Sequence, residues 1–289
     1  MGKILVTGAS GDIGRKTLLH LLKFRPANEL IGLVRDPAKA EDLTAKGIEL
    51  RKGDYLDTAS LAEAFKGVDK LMLTATHAFT ERNKAHGNVI DEAVKAGVKH
   101  IVFMPIYRKK NSTVTMKEIT AEDIFTEEKL KASGIDYTLA YHPPFLEALF
   151  FYLGPKAQET GVHVPAGDHK FAAATRDDLA AAHAAILTGE GHENKSYVLM
   201  GAPAISFSDI ADILSKLEGK KVPYSKITPE EYLQLVGKGV PDFIAQFVLE
   251  WVVNMGAGEW EEQTKDLETL IGRKATTPTE FFRDSYLTK

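Results

Sequence analysis

Three glycines near the start of the chain have the spacing that phosphate binding needs. In VTGASGDIGRK (6–16), Gly8, Gly11 and Gly14 stand three apart, between an apolar β-type run and a helical pattern. Gly8 permits a tight turn, Gly11 lets the backbone approach a pyrophosphate, and Gly14 lets the helix pack close to the strand. A pyrophosphate so held lies against the N–H groups that open the helix, which brings Ser10, Asp12 and Ile13 into the cradle. A glycine-rich turn with no ligand is the bland alternative. The strand–turn–helix setting favours nucleotide binding over it.

The second strand ends in LVRDP, with Arg35 at a place where an acid would contact ribose hydroxyls. A cation there favours a 2′-phosphate, hence NADP(H), while the adjacent Asp36 keeps NAD(H) open. Arg15 and Lys39 add charge nearby; the other reading of Arg35 is a solvated surface cation. In KGDYLD (52–57), Asp54 is a candidate partner for the adenine amine, with Tyr55 beside it. Thr74, Ala75 and Thr76, followed by His77, end the fourth strand, where the chain should pass the ribose and nicotinamide.

These residues need a frame, and the chain supplies an alternating one. KILVT (3–7), ELIGLV (29–34), IELRKG (48–53), DKLMLT (69–74), HIVFM (100–104) and DYTLAY (136–141) read as strands. Helical patterns lie between them near 12–24, 37–46, 58–66, 80–96 and 118–133. Such alternation implies right-handed βαβ crossovers and an α/β fold, a Rossmann-type doubly wound parallel sheet. After about residue 142 it stops, at HPPF, and the later elements are mixed: helices near 176–187, 208–217, 230–236 and 241–254 and a strand near 196–200. TPEE (228–231) and TPTE (277–280) each place Thr at a helix cap and Glu three residues on. The division expected is a dinucleotide-binding domain over 1–142 and a smaller, partly helical substrate lobe over 143–289, with some segments returning to the first core.

The bulk numbers bound the partners. A net charge of −4, from 36 basic and 40 acidic residues, points to no nucleic-acid surface. The chain has no cysteine, which removes disulfides, thiolate metal sites and cysteine nucleophiles, and the nine histidines show no metal-ligand spacing. No segment reads as a leader or a membrane span, so a cytoplasmic protein, monomer or homodimer, is expected. The stripe Phe243, Phe247, Trp251 with Ile244, Val248, Val252 and Met255 has helical spacing and reads as core, as a roof over a cleft or as a dimer face.

VTGASGDIG, LVRDPAKA, KGDYLD, AVKAGVKHIVF, TEEKLKASGIDYTLAYHPPF, RDDLAAA and GRKATTPTEFFRD together resemble the NmrA-like group of atypical short-chain dehydrogenases. The resemblance covers nearly the whole chain. By pattern it is nearest to the triphenylmethane reductases and NADPH-dependent quinone oxidoreductases of that group. It implies the fold, the NADP(H) cofactor and a site at the carboxyl ends of the strands. Ordinary members of the superfamily carry a Tyr-x-x-x-Lys pair on the fifth helix: the Tyr passes a proton and the Lys lowers its pKa. Here EITAEDIF (118–125) has Ile119 and Asp123 at the places nearest that spacing. The group often has His or Lys where Asp123 stands; Asp123 reads either as a carboxylate contacting the ribose or as a solvated helix residue.

Loss of the pair does not forbid hydride transfer. A quinone or a cationic dye accepts hydride without an enzyme acid at the same centre, so proximity in a dry cleft can suffice. Residues after strands four to six would line that cleft: His77; Pro105, Ile106 and Tyr107; and Tyr141, His142, Pro143, Pro144 and Phe145. Tyr141 and Pro143 fall on the cofactor side, and His77, Pro105, Tyr107, Pro144 and Phe145 on the acceptor side. Tyr107 and His142 are the candidate proton or hydrogen-bond donors, with packing or a surface loop as the alternative for each. The expected activity is NADP(H)-dependent reduction of a quinone-like or conjugated apolar acceptor. The competing readings are a carbonyl reductase or alcohol dehydrogenase using Tyr107 or His142, and a dinucleotide-sensing regulator.

Overall fold

The computed structural model describes residues 2–112, 116–154 and 156–287. Seven strands form one parallel sheet: β1 (Lys3–Val6), β2 (Leu30–Val34), β3 (Glu49–Lys52), β4 (Val68–Leu73), β5 (His100–Phe103), β6 (Asp136–Tyr141) and β8 (Lys195–Val198). Two three-residue strands, β7 (Val162–Val164) and β9 (Tyr224–Lys226), pair in a separate small sheet. β1, β2, β4 and β5 carry almost unbroken apolar runs, as strands covered on both faces must. Their order is β3-β2-β1-β4-β5-β6-β8. The winding reverses between β1 and β4, and in open sheets of this kind ligands bind beyond the carboxyl ends at that switch point.

On one face, α1 (Asp12–Leu21), α8 (Arg176–Thr188) and α12 (Asp266–Ile271) pack together. On the other lie α3 (Thr58–Ala64), α4 (Arg82–Ala96) and α5 (Lys117–Ala132). The chain after residue 142 therefore sends α8, β8 and α12 back to the sheet. The remaining late elements are α6 (Leu149–Leu153), α7 (Ala157–Thr160), α9 (Phe207–Glu218), α10 (Pro229–Val236), α11 (Asp242–Gly256) and α13 (Pro278–Leu287). With β7 and β9 they surround a second core that includes Phe171, Phe207, Tyr232, Trp251 and Trp260.

The regular elements fall close to their sequence patterns, and the departures have local causes. In place of the helix at 37–46 there is a 3-10 turn, Pro37–Ala40, and a single helical turn, α2 (Glu41–Thr44). Asp36 starts it by accepting from the Ala38 N–H at 3.2 Å, and Gly47 at φ 83° ends the segment. β7 and β9 are too short to show an alternation. Thr228 and Thr277 both cap as their motifs indicate: each hydroxyl accepts from the N–H three residues on, and the Glu there accepts from the Thr N–H. The aromatic stripe divides. Val248, Trp251, Val252 and Met255 are core, whereas Phe243 is half exposed and meets Phe79 edge to face, as Phe247 does.

Candidate active site

The first element of the site is the turn between β1 and α1. Gly8 sits at φ 61°, a left-handed conformation that glycine adopts without strain. A Cβ on Gly14 would lie 2.5 Å from the Gly8 carbonyl oxygen, so that glycine is required by packing. Gly11 differs: it is exposed, has φ −85°, and its Cβ would meet Gly8 O at 3.2 Å. It is also the N-cap of α1 and supplies no side-chain cap. α8, α9 and α10, by contrast, are capped by Thr175, Ser206 and Thr228. The opening N–H groups of α1, from Asp12, Ile13 and Gly14, are thus left for an outside acceptor beside exposed Ser10. The Asp12 carboxylate would oppose an anion there, but Lys16 at 2.9 Å and Arg176 at 3.5 Å offset it.

The frame of the turn is a hydroxyl network that the sequence did not reveal. Thr7 Oγ1 donates to Met72 O at 3.0 Å and accepts from Thr74 N at 2.9 Å, while Thr74 Oγ1 donates to Thr7 O at 2.8 Å. The Tyr55 hydroxyl reaches Thr7 Oγ1 and Thr74 O, and its burial pushes the phenol pKa up. Tyr55 and Thr74 therefore tie β1 to β4 at the switch point. The Asp54 carboxylate is half committed, accepting from Leu56 N at 2.9 Å. Thr76 N donates to His86 at 3.2 Å, and His77 is exposed beyond it with Ala75 and Thr76 partly covered. At the end of β2, Arg35 is exposed with no side-chain partner among the described residues. Arg15 instead spends its charge on Asp42 and donates to Lys39 O at 2.7 Å.

The second element is a cavity of about 190 Å3 beyond β5, between the loop that follows that strand, the first turns of α5 and the end of α11. Ile106, Tyr107, Met116, Ile119 and Trp260 give it apolar and aromatic walls; Thr120, Asp123, Asn254 and Glu259 bring polar atoms. The loop is tied to the end of β6: Tyr107 N donates to His142 O at 2.9 Å and His142 N to Pro105 O at 3.0 Å.

Asp123 is not a solvated helix residue. It is 0% exposed, its carboxylate pairs with Arg82 of α4, and its second oxygen accepts from Ile106 N at 2.8 Å. Burial pushes its pKa up, to about 6, against the pull of Arg82 and that N–H. One turn later Glu127, also buried, accepts from Arg108 at 2.6 Å and from the Tyr141 hydroxyl at 2.8 Å. Tyr141 is therefore committed within this network.

The two candidate donors after β5 and β6 are placed differently. The Tyr107 hydroxyl faces the carboxylate of Glu262 and donates to it; burial and that carboxylate push its pKa up. His142 is buried, its ring stacked on Phe145 at 4.7 Å and its Nδ1 2.8 Å from Pro143 O. Burial holds it down, at about 4, so it is neutral, and the contact with Pro143 O places its proton on Nδ1. Expected as a donor at a cleft wall, His142 lies inside the wall because Pro143, Pro144 and Phe145 fold over the strand end. Pro105, Pro143 and Pro144 are buried and Phe145 is partly covered under the Arg176 guanidinium, 4.9 Å from its ring.

Several residues of the cavity carried no sequence signal. Asn254 and Glu259 lie far along the chain from α5. Arg82 is 41 residues from Asp123, and charges on a helix ordinarily mean a solvated face. No group of three or more His, Cys, Asp or Glu among the described residues could hold a metal, and no described helix is long and apolar enough to cross a membrane.

The NmrA-like family model matches residues 1–282. Quinone oxidoreductase 2 of Escherichia coli is 37% identical over 276 residues, 95% of each chain. The structure of the E. coli NADPH-dependent quinone oxidoreductase with NADPH superposes with a TM-score of 0.91 at 36% identity, covering 99% of this chain and 100% of that one. The Citrobacter sp. triphenylmethane reductase complexed with NADP(H) gives 0.89 at 32% identity, covering 97% and 99%.

Proposed function

The chain belongs to the NmrA-like family, and from that membership we propose an NADP(H)-dependent reductase that passes hydride to a quinone-like, conjugated acceptor without an acid–base pair on α5. The observation that carries the reading is the state of α5: where a short-chain reductase would have its Tyr and Lys, this chain has a buried Ile119 and an Asp123 already paired with Arg82. Among the described residues, no free acid faces the cavity from that helix.

The turn after β1 fits a dinucleotide. Gly11 leaves an open approach, and the uncapped start of α1 offers N–H groups and the positive end of its dipole to a pyrophosphate. Arg35 is free to meet a 2′-phosphate, Asp54 lies at the end of β3 on the adenine side, and Thr74 to Thr76 pass beneath the ribose. Asp12 contributes its N–H and not its carboxylate. When bound, the nicotinamide supplies the hydride. The chain's part is to hold the ring against the acceptor and keep water away.

Asp123 and Glu127 act as positioning residues. Asp123 fixes Ile106 and hence the loop that walls the cavity, and Glu127 holds Tyr141 and Arg108 in register. A flat acceptor then lies between Ile106, Tyr107, Met116, Ile119 and Trp260. Its reduced oxygen takes a proton from water, which the neutral, inward-facing His142 and the carboxylate-bound Tyr107 are poorly placed to give. The acidic balance and absence of cysteine suit a cytoplasmic enzyme with a small-molecule partner.

The test is single-turnover oxidation of protein-bound NADPH on mixing with quinones, azo and triarylmethane dyes and aldehydes. Rapid oxidation by the conjugated acceptors, with aldehydes far slower, supports the reading. Oxidation by none of them, with NADPH bound, would leave a cofactor-binding protein and reject it.

A further inference from the structure

Asn254 is a neutral amide in the wall of this cavity whose hydrogen-bonding capacity the fold leaves open. It lies two residues before the end of α11 and is 5% exposed, yet its amide makes no hydrogen bond to any described residue. Several groups around it are committed, although Arg108, also in the wall, keeps its Nη1 buried and without a partner among the described residues. Glu259 accepts from Lys109 N at 2.8 Å and from the Ser112 hydroxyl. Trp260 Nε1 donates to Tyr107 O at 3.0 Å, and Asp123 is held by Arg82 and Ile106 N. An amide with no partner inside the fold, standing in a cavity wall, keeps its donors and acceptor for whatever enters the cavity.

We propose that Asn254 is the hydrogen-bond donor to the acceptor's oxygen: its side-chain N–H groups meet the carbonyl that takes up the electron pair when the ring is reduced. The inference rests on the reductase reading above and names the polar contact within that site. The wall composition fits a flat ring, since Trp260 is fixed by stacking on Trp251 at 5.1 Å. The nearby carboxylates do not forbid an oxygen gaining charge. Each oxygen of Glu259 and Asp123 already accepts one hydrogen bond, Asp123 is paired with Arg82, and the cations Arg108 and Lys109 also line the cavity. In the balanced step a quinone gains a hydride and one proton from water, becoming the hydroquinone while the dihydronicotinamide is oxidised. The electron pair arrives on the carbonyl oxygens, and a donor set in advance stabilises that charge more than it stabilises the bound quinone. Asn254 would thereby take over the electrostatic part of the missing Tyr's work without passing a proton.

The experiment uses Asn254→Leu and Asn254→Ala, each loaded with NADP+ for binding and with NADPH for turnover. The probe is 2-methyl-1,4-naphthoquinone. Its binding is read by quenching of Trp251 and Trp260, the only two tryptophans in the chain. Both variants should bind the quinone about three- to tenfold more weakly. Single-turnover hydride transfer at saturating quinone should fall roughly 100-fold, with NADPH affinity unchanged. A merely structural Asn254 would not produce that split between binding and rate. Should the Leu variant fail to fold, Asn254→Ala decides, because it removes the donors without adding a charge beside the oxygen. Hydride transfer within threefold of the parent in a folded variant overturns the proposal. If the parent binds NADPH but reduces no quinone, the reductase reading fails by itself. Asn254 is then judged by quenching alone, and quenching unaffected by either variant overturns it.

Discussion

Replacing Arg35 with Asp tests the cofactor preference at one side chain. Arg35 is exposed and has no partner among the described residues, so its removal breaks no internal contact and the urea midpoint should stay within error. Its neighbour Asp36 is occupied in capping the turn at Pro37–Ala40, so the local backbone should also hold. What is lost is a charge-assisted contact to a 2′-phosphate, worth about 1.5–3 kcal/mol, and a repulsion replaces it. Exposure and salt reduce both terms, which argues for the lower half of the range. The expected result is NADPH binding weakened about 10- to 50-fold, with NADH affinity altered less than about threefold. Arg15 cannot take over the contact readily, being held by Asp42 and Lys39 O. Titration calorimetry with both cofactors at two ionic strengths measures this, and the NADPH loss should shrink at the higher one. An unchanged NADPH-to-NADH affinity ratio in a folded variant would refute the assignment of Arg35 and the charge argument behind it.

Gly11→Val should fold and fail to bind the cofactor: the backbone at φ −85° accepts a branched residue, the 3.2 Å approach to Gly8 O needs a small shift, and the side chain would project into the pyrophosphate's path. Circular dichroism and NADPH titration check it; undiminished binding would count against the cradle. Asp123→Asn leaves the buried Arg82 without its anion and should lower stability by about 3–5 kcal/mol. The amide oxygen can still accept from Ile106 N, so in the folded variant single-turnover quinone reduction should fall by less than about tenfold, whereas loss of a general acid or base would cost roughly 10²–10⁴-fold. His183→Leu concerns acid stability. His183 is fully buried in α8 with neither ring nitrogen partnered, and burial lowers its pKa from 6.5 to about 3. A depressed histidine leaves the unfolded chain binding the extra proton, so parent stability falls as pH drops below 6.5. At about pH 5 that is about 2 kcal/mol. The variant should escape this loss, so its advantage in urea midpoint should widen between about pH 7 and pH 5; a constant difference would reject the linkage.

The frame of this protein was legible because it repeats. Each strand is a short apolar run, each crossover a helical period, and the glycine turn sits where the first meets the second. Gly14 and Gly8 could be understood from spacing, since their jobs are local. The surroundings of the candidate site were not local. From sequence Asp123 reads equally as a ribose contact or a solvated helix charge, and it is Arg82, 41 residues earlier, that pairs with it in the interior; Tyr107 reads as a donor or as packing, and it is Glu262, 155 residues later, that takes its hydroxyl. His142 was placed at the right strand end but on the wrong side of the wall, because prolines fix a chain's direction without revealing which face they cover. Asn254 had no motif to mark it. Its interest arises from what fails to touch it, which no sequence pattern records.

The ion pair on α5 also bears on why this family member can do without the Tyr–Lys pair. General acid catalysis supplies roughly 10²–10⁴ in rate, about 3–5.5 kcal/mol. Holding two reactants in a near-attack arrangement is worth more, about 7–11 kcal/mol. A carbonyl that must become an alkoxide needs the first contribution; a quinone that becomes a delocalised anion can forgo it and keep the second. Arg82 and Asp123 invest α5 in the second. They join α4, α5 and the loop after β5 through buried charge, and breaking such a pair costs about 3–5 kcal/mol, so the wall of the cavity resists displacement. In the proposed reading, a helix that elsewhere presents chemistry here holds shape, and the acceptors that suit the site are those whose own electronics complete the reaction.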